Sequence, residues 1–122
     1  MPSIPADYPA LMTKRTSCRS FSDEPLSHTD REKLADLIRE PVLPPFGTPL
    51  RFALIDRAEP SRPAEQKSEI GTYGVIRGAN TYIAGICPAA DGGFTLEDYG
   101  YVFEHIIIRA TGLGLGTCWL GG

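Results

Sequence analysis

This chain is poor in the residues that would mark several common classes of protein. Of its 122 residues only three are cysteines, and Cys18, Cys87 and Cys118 are odd in number and widely spaced. That spacing argues against a disulfide or metal framework and for reduced thiols in a cytoplasmic protein. Basic residues are not in excess: 12 Lys and Arg face 15 Asp and Glu, a formal net charge of −3. That balance speaks against a general nucleic-acid binder and against a polybasic membrane anchor. No apolar run is long enough to span a bilayer, and the opening MPSIPADYPAL has neither the basic lead-in nor the apolar stretch of a signal peptide. There is no Cys-x-x-Cys or Cys-His cluster and no Gly-x-Ser-x-Gly. The two histidines, His28 and His105, have no evident partner and read as structural. Internal repeats and low-complexity tracts are also missing.

What the chain does have is material for one domain with a real core. It is 42% hydrophobic, and its 13 Gly and 11 Pro point to loops built for close backbone approach. A short helix is expected over 7–15, with Pro9 in its first turn. A second helix is expected over 27–40, capped by Ser27 with Asp30 three residues on, presenting Leu34, Leu37 and Ile38 on one face and ended by Pro41. Residues 50–56 read as a half-buried strand, and 81–87 as a buried central strand. Between them, 57–69 is polar and reads as exposed, and 70–80 reads as a short helical or irregular piece ending near Arg77 and Gly78. The strongest element is a helix over 95–113, with Thr95 as cap and Asp98 in its first turn. Its apolar positions Tyr99, Val102, Phe103, Ile106, Ile107, Ala110 and Leu113 cover more than half the circumference. The fold class is therefore α+β, with a mixed or antiparallel sheet.

Two segments carry candidate chemistry. KRTSCRSF, residues 14–21, is the most basic stretch in the chain. Guanidinium groups make bidentate, charge-assisted bonds to phosphate oxygens, and Ser or Thr hydroxyls add donors. The plainer alternative has Lys14 and Arg15 complementing a helix C-terminus and Arg19 as a solvated charge. GLGLGTCWLGG follows a long helix and spaces Gly112, Gly114 and Gly116 by two, so it lacks the strand-before, helix-after context of a dinucleotide loop. Gly112 or Gly114 is expected to end the helix, and Gly121-Gly122 would let a flat ligand approach the backbone. Asp and Glu read as scattered on helix surfaces, with no convincing acid/base or nucleophilic set. If the chain is an enzyme, a cofactor carries the chemistry.

These residues resemble the flavin-dependent nitroreductase family. KRTSCRSF is similar to the family's opening motif, with Arg15, Ser17, Arg19 and Phe21 matching and Thr16 standing in place of an Arg. GTYGVIRGANTYI resembles a glycine-rich segment of one subgroup, and the long helix followed by GLGTCWLGG resembles the family's central helix and flavin-facing loop. The similarity runs from about Leu11 to Gly122.

The resemblance implies a nitroreductase-like α+β fold that forms a homodimer with FMN held at the dimer interface. Arg15, Thr16, Ser17 and Arg19 would meet the FMN phosphate and ribityl chain, and Leu120, Gly121 and Gly122 would approach the flavin ring through their backbone. LPPFGTPLRF replaces the family's usual loop before the first strand. It puts Phe46 where an Asn is usual, so Phe46 and Gly47 are candidates for lining the pocket without a polar contact. NADH or NADPH would pass a hydride to the flavin and leave, and a nitroaromatic, a quinone or a similar small-molecule acceptor would take it in a second half-reaction. A non-enzymatic alternative is a degenerate flavin-fold module that binds a partner or a phosphorylated ligand. The family's second half is not in the sequence, so the chain is expected to be the N-terminal part of a longer protein. Phe103, Ile106, Ile107 and Trp119 are then expected to form an exposed apolar patch that drives dimerisation or aggregation and leaves FMN weakly held.

Overall fold

Local sequence signals decide where the helices begin and end. The structure, a computed structural model, describes residues 5–22, 24–56, 76, 78–89 and 93–120. Helix α1 spans Tyr8–Lys14, with a proline in its first turn, where the missing N–H has no intrahelical partner to lose. Helix α2 spans His28–Arg39. Its N-cap Ser27 accepts the Asp30 N–H at 3.1 Å. That is the cap expected from the sequence, and it satisfies one of the orphan donors of the first turn. Helix α3 spans Thr95–Gly112.

The expected cap of α3 is displaced by one residue. Phe94, not Thr95, occupies the N-cap position, and no side chain caps it. Thr95 is instead a buried first helical residue. The C-terminal end follows the glycine reading. Gly114 takes a φ of 81°, its N–H bonds to Thr111 O at 3.0 Å, and the Leu115 N–H bonds to Ala110 O at 3.1 Å. This is the Schellman arrangement, in which a left-handed glycine lets the chain turn back over the last carbonyls.

Strand β1 spans Arg51–Asp56 and strand β2 Thr81–Ile86. They pair antiparallel, with Phe52 opposite Gly85 and Leu54 opposite Ile83. β1 is half-buried as expected, alternating exposed and half-buried over 51–54 and half-buried at both 55 and 56. The described residues give β2 one strand neighbour, so they do not place it in the centre of a sheet. Among the described residues the sheet has two strands, and Thr81 to Gly85 are all half-buried. An apolar run reports a low-water environment but not how many strands flank it, and among the described residues β1 is the one neighbour. The expected exposed segment 57–69 and most of the expected piece at 70–80 lie outside the described residues; Ile76 is buried.

The core forms where α3 crosses this sheet. Phe103, Ile106 and Ile107 form its centre, with Ile38, Phe52, Ile83 and Tyr99 packed around them. This corrects the expected apolar patch. Phe103, Ile106 and Ile107 are 9%, 3% and 6% exposed, and of the four only Trp119 reaches the surface, at 40%. Periodicity identified the apolar faces of α3, but the sheet, α1 and α2 cover them within the chain. Tyr8 of α1 is buried against α3, its ring 5.4 Å from that of His105, and Leu11 packs on Gly112. Arg31 forms an ion pair with Asp56, tying α2 to the end of β1. No helix among the described residues is long and apolar enough to cross a membrane.

Candidate functional site

The cationic segment and the glycine-rich segment, a hundred residues apart in sequence, meet at the C-terminal end of α3. Arg15 follows α1 as its C-cap in extended conformation. Its Nε donates to Thr117 Oγ1 at 3.2 Å. The Cys18 N–H donates to Thr117 O at 2.8 Å, and Ser17 and Thr117 form an isolated parallel bridge. Gly116 makes this approach possible: a Cβ there would lie 2.9 Å from Cys18 Sγ and 3.0 Å from its Cβ.

The electrostatics of this corner are unbalanced. Lys14, Arg15 and Arg19 have no carboxylate partner among the described residues, and Thr16, Ser17 and Arg19 are exposed. Arg15 is half-buried and its Nη2 is buried without a hydrogen-bond partner among the described residues. A buried guanidinium nitrogen left unpaired costs free energy unless an acceptor meets it, and charge-assisted bonds to an oxyanion would satisfy it best. The residues present therefore fit a phosphate group.

Beside this corner lies a cleft of about 680 Å³. Its walls include Cys18, Phe21, Tyr82, Tyr99, Trp119 and Leu120. Cys18 thus belongs both to the cationic loop and to the cleft wall. The volume is in the range of small-molecule sites. Trp119 packs on Phe103 at 4.8 Å between ring centres and donates from Nε1 to Glu104 Oε2 at 2.9 Å. Tyr99 lies over β2, and burial, with Cys87 adding, pushes its phenol above the ordinary value. The three cysteines are free thiols. Among the described residues no cluster of His, Cys, Asp and Glu could hold a metal ion.

The candidate residues from the sequence fall in two places. Arg15 and Ser17 stand beside Thr117, Thr16 and Arg19 are exposed residues of the same loop, and Leu120 lines the neighbouring cleft. Gly121 and Gly122 lie outside the described residues. Phe46 and Gly47 are elsewhere. They sit over the first turn of α3, where the Phe46 N–H and the Thr48 N–H each donate to Asp98, both at 2.9 Å. From Asp98 to Ala110, beside which the other loop turns, the helix rises about 18 Å at 1.5 Å per residue.

Asp98 was read from the sequence as a first-turn residue among carboxylates scattered on helix surfaces, yet it is fully buried. Burial pushes its carboxyl upward, but bonds from the Thr48 side chain and from the Phe46 and Thr48 N–H groups outweigh this, and its pKa falls below the usual value. One signal in the sequence pointed to it: Asp98, Val102 and Ile106 follow at spacings of four, which puts a carboxylate on the buried stripe. His105 also gains a partner, its Nδ1 lying 3.2 Å from Tyr8 Oη.

The features define a class: a small α+β protein whose N-terminal cationic loop is paired with the loop after its long helix, above an apolar cleft. A family model described as "Putative TM nitroreductase" matches residues 8–122, and the chain belongs to that nitroreductase family. No curated protein and no solved structure matches the chain.

Proposed function

We propose that the protein is a nitroreductase-type oxidoreductase that binds FMN and uses NADH or NADPH as reductant. The observation that carries this reading is the Nη2 of Arg15, buried and without a partner among the described residues, in a cationic loop pinned to Thr117. Arg15 and Arg19 bind the phosphate, Ser17 and Thr16 offer hydroxyl or backbone donors beside it, and Leu120 faces the ring from the cleft wall. When bound, the flavin supplies two-electron hydride chemistry between the nicotinamide and a small electron-poor acceptor such as a nitroaromatic or a quinone. The chain's own part is to hold the phosphate, to orient the ring and to keep an apolar cleft beside it. The separation of Phe46 and Gly47 from Arg15 along α3 supports a site shared by two copies, with the 46–48 loop of one copy facing the flavin of the other.

Replacing Arg15 and Arg19 together with alanine tests this reading. A lost charge-assisted bond is worth roughly 1.5–3 kcal/mol, so FMN affinity should fall more than tenfold. Riboflavin, which has no phosphate, should bind parent and double variant equally. Unchanged FMN affinity in the double variant would remove the phosphate role.

A further inference from the structure

The loop carrying Phe46 is fixed more firmly than an exposed loop needs. Three consecutive backbone donors are all used: Phe46 N–H to Asp98 Oδ1 at 2.9 Å, Gly47 N–H to Pro44 O at 3.2 Å, and Thr48 N–H to Asp98 Oδ2 at 2.9 Å. Gly47 completes the turn with a φ of 77°. Asp98 spends both carboxylate oxygens on this loop, across about fifty residues of sequence, and is the one buried carboxylate among the described residues.

What the loop presents is an aromatic surface. The Phe46 ring stacks on Phe94 with centroids 4.1 Å apart and planes 18° from parallel. Both rings are open to solvent, at 59% and 56%. A buried carboxylate that holds an exposed ring pair is a poor use of a charge for stability alone, because burying that charge is costly. It is a good use if the direction of the ring matters, since planar π systems gain from offset stacking at a set height and angle.

We infer that Asp98 is a positioning residue for ligand binding: it fixes the 46–48 backbone so that Phe46, backed by Phe94, offers a planar stacking face to the tricyclic flavin ring. This rests on the flavin reading above, in which Phe46 faces the flavin of a second copy. Asp98 itself touches no ligand and acts through Phe46.

The experiment compares the 122-residue protein with Asp98→Asn, Phe46→Ala and the double variant. Asn can accept from one of the two N–H groups and turns a donor toward the other. Two readouts are taken, amide hydrogen exchange at Phe46 and Thr48 and titration with FMN and with riboflavin. Asp98→Asn should raise exchange at both amides and weaken both flavins by about tenfold, the size of one or two lost hydrogen bonds. The loss should be equal for the two flavins, because Phe46 meets the ring and not the phosphate. The double variant should bind no more weakly than Phe46→Ala alone, since the two residues act in series. Additive losses, or unchanged exchange at Phe46 and Thr48, would overturn the inference. If Asp98→Asn does not fold, Phe94→Ala removes the backing ring with Asp98 intact and should weaken both flavins alike; no loss there also overturns it. A parent protein that binds neither flavin while exchange still responds to Asp98 would mark failure of the flavin reading itself and remove the ligand role of Asp98 with it.

Discussion

The hydroxyl end of the Tyr99 ring sits against Gly85, so close that a Cβ at Gly85 would fall 2.6 Å from Tyr99 Cε2 and from its hydroxyl oxygen. Gly85 sits opposite Phe52 on β1, and Phe52 and Phe103 both pack on the Tyr99 ring. A strand glycine normally weakens a sheet, but here the aromatic ring of α3 fills the space that a side chain would take. Gly85→Ala should therefore destabilise the protein by about 1–3 kcal/mol, the usual cost of overpacking, although alanine is the better strand residue. Urea denaturation of the two proteins measures it.

Two glycines, one inside α3 and one in the turn that ends it, should respond in opposite directions. Gly100 lies within the helix, and a Cβ there meets nothing within 4 Å. Gly100→Ala should raise stability by about 0.5–1 kcal/mol through helix propensity and a less flexible unfolded chain. Gly114 also faces open space, but its φ is +81°. Gly114→Ala should lower stability by about 1 kcal/mol, because the left-handed conformation of the helix stop strains any Cβ. Thermal melting of the pair separates conformational strain from steric space.

His105 gives the protein a pH dependence of definite sign. Burial holds its pKa below the ordinary value near 6.5, the Arg109 charge adds to this, and Glu104 opposes it. A depressed value means that the unfolded chain binds the proton more readily. Stability from neutral His105 is complete above about pH 6.5 and is lost as pH falls from there through the lower folded value. His105→Gln, which cannot gain this proton, should show a shallower loss between pH 7 and pH 5 in denaturant titrations. Equal slopes for the two proteins would exclude His105 as the source.

Much of this fold is legible in the sequence where the signals are local. Ser27 and its N–H partner at Asp30 are three residues apart, and the left-handed Gly114 directly follows the last turn of α3, so both helix boundaries could be read. The site is less legible because its contacts are long-range. Arg15 meets Thr117 across 102 residues, and Asp98 meets Phe46 across 52. The basic stretch could be recognised as a phosphate candidate, but not its pairing with Thr117. The apolar faces of α3 were visible, but whether Ile106 and Ile107 face water depends on α1, α2 and the sheet, which periodicity does not locate.

Gly116 joins packing to binding. A Cβ there would meet Cys18 Sγ at 2.9 Å, Cys18 Cβ at 3.0 Å and Phe21 Cε1 at 3.4 Å. Its φ is not in the left-handed region, so alanine meets only a steric barrier. Gly116→Ala must push the 15–21 loop away from Thr117 and lengthen the bond from Arg15 Nε to Thr117 Oγ1. Stability should fall by about 1–3 kcal/mol, and FMN affinity should fall more than riboflavin affinity, because the displaced loop holds the phosphate. Cys18→Ala removes the closest contact while keeping the backbone, so the double variant should recover part of both losses. Thermal melts and flavin titrations on the four proteins give the complete cycle. A double variant no better than Gly116→Ala alone would show that Cys18 is not the limiting contact, and an unchanged FMN-to-riboflavin ratio would show that the loop moves without disturbing the phosphate.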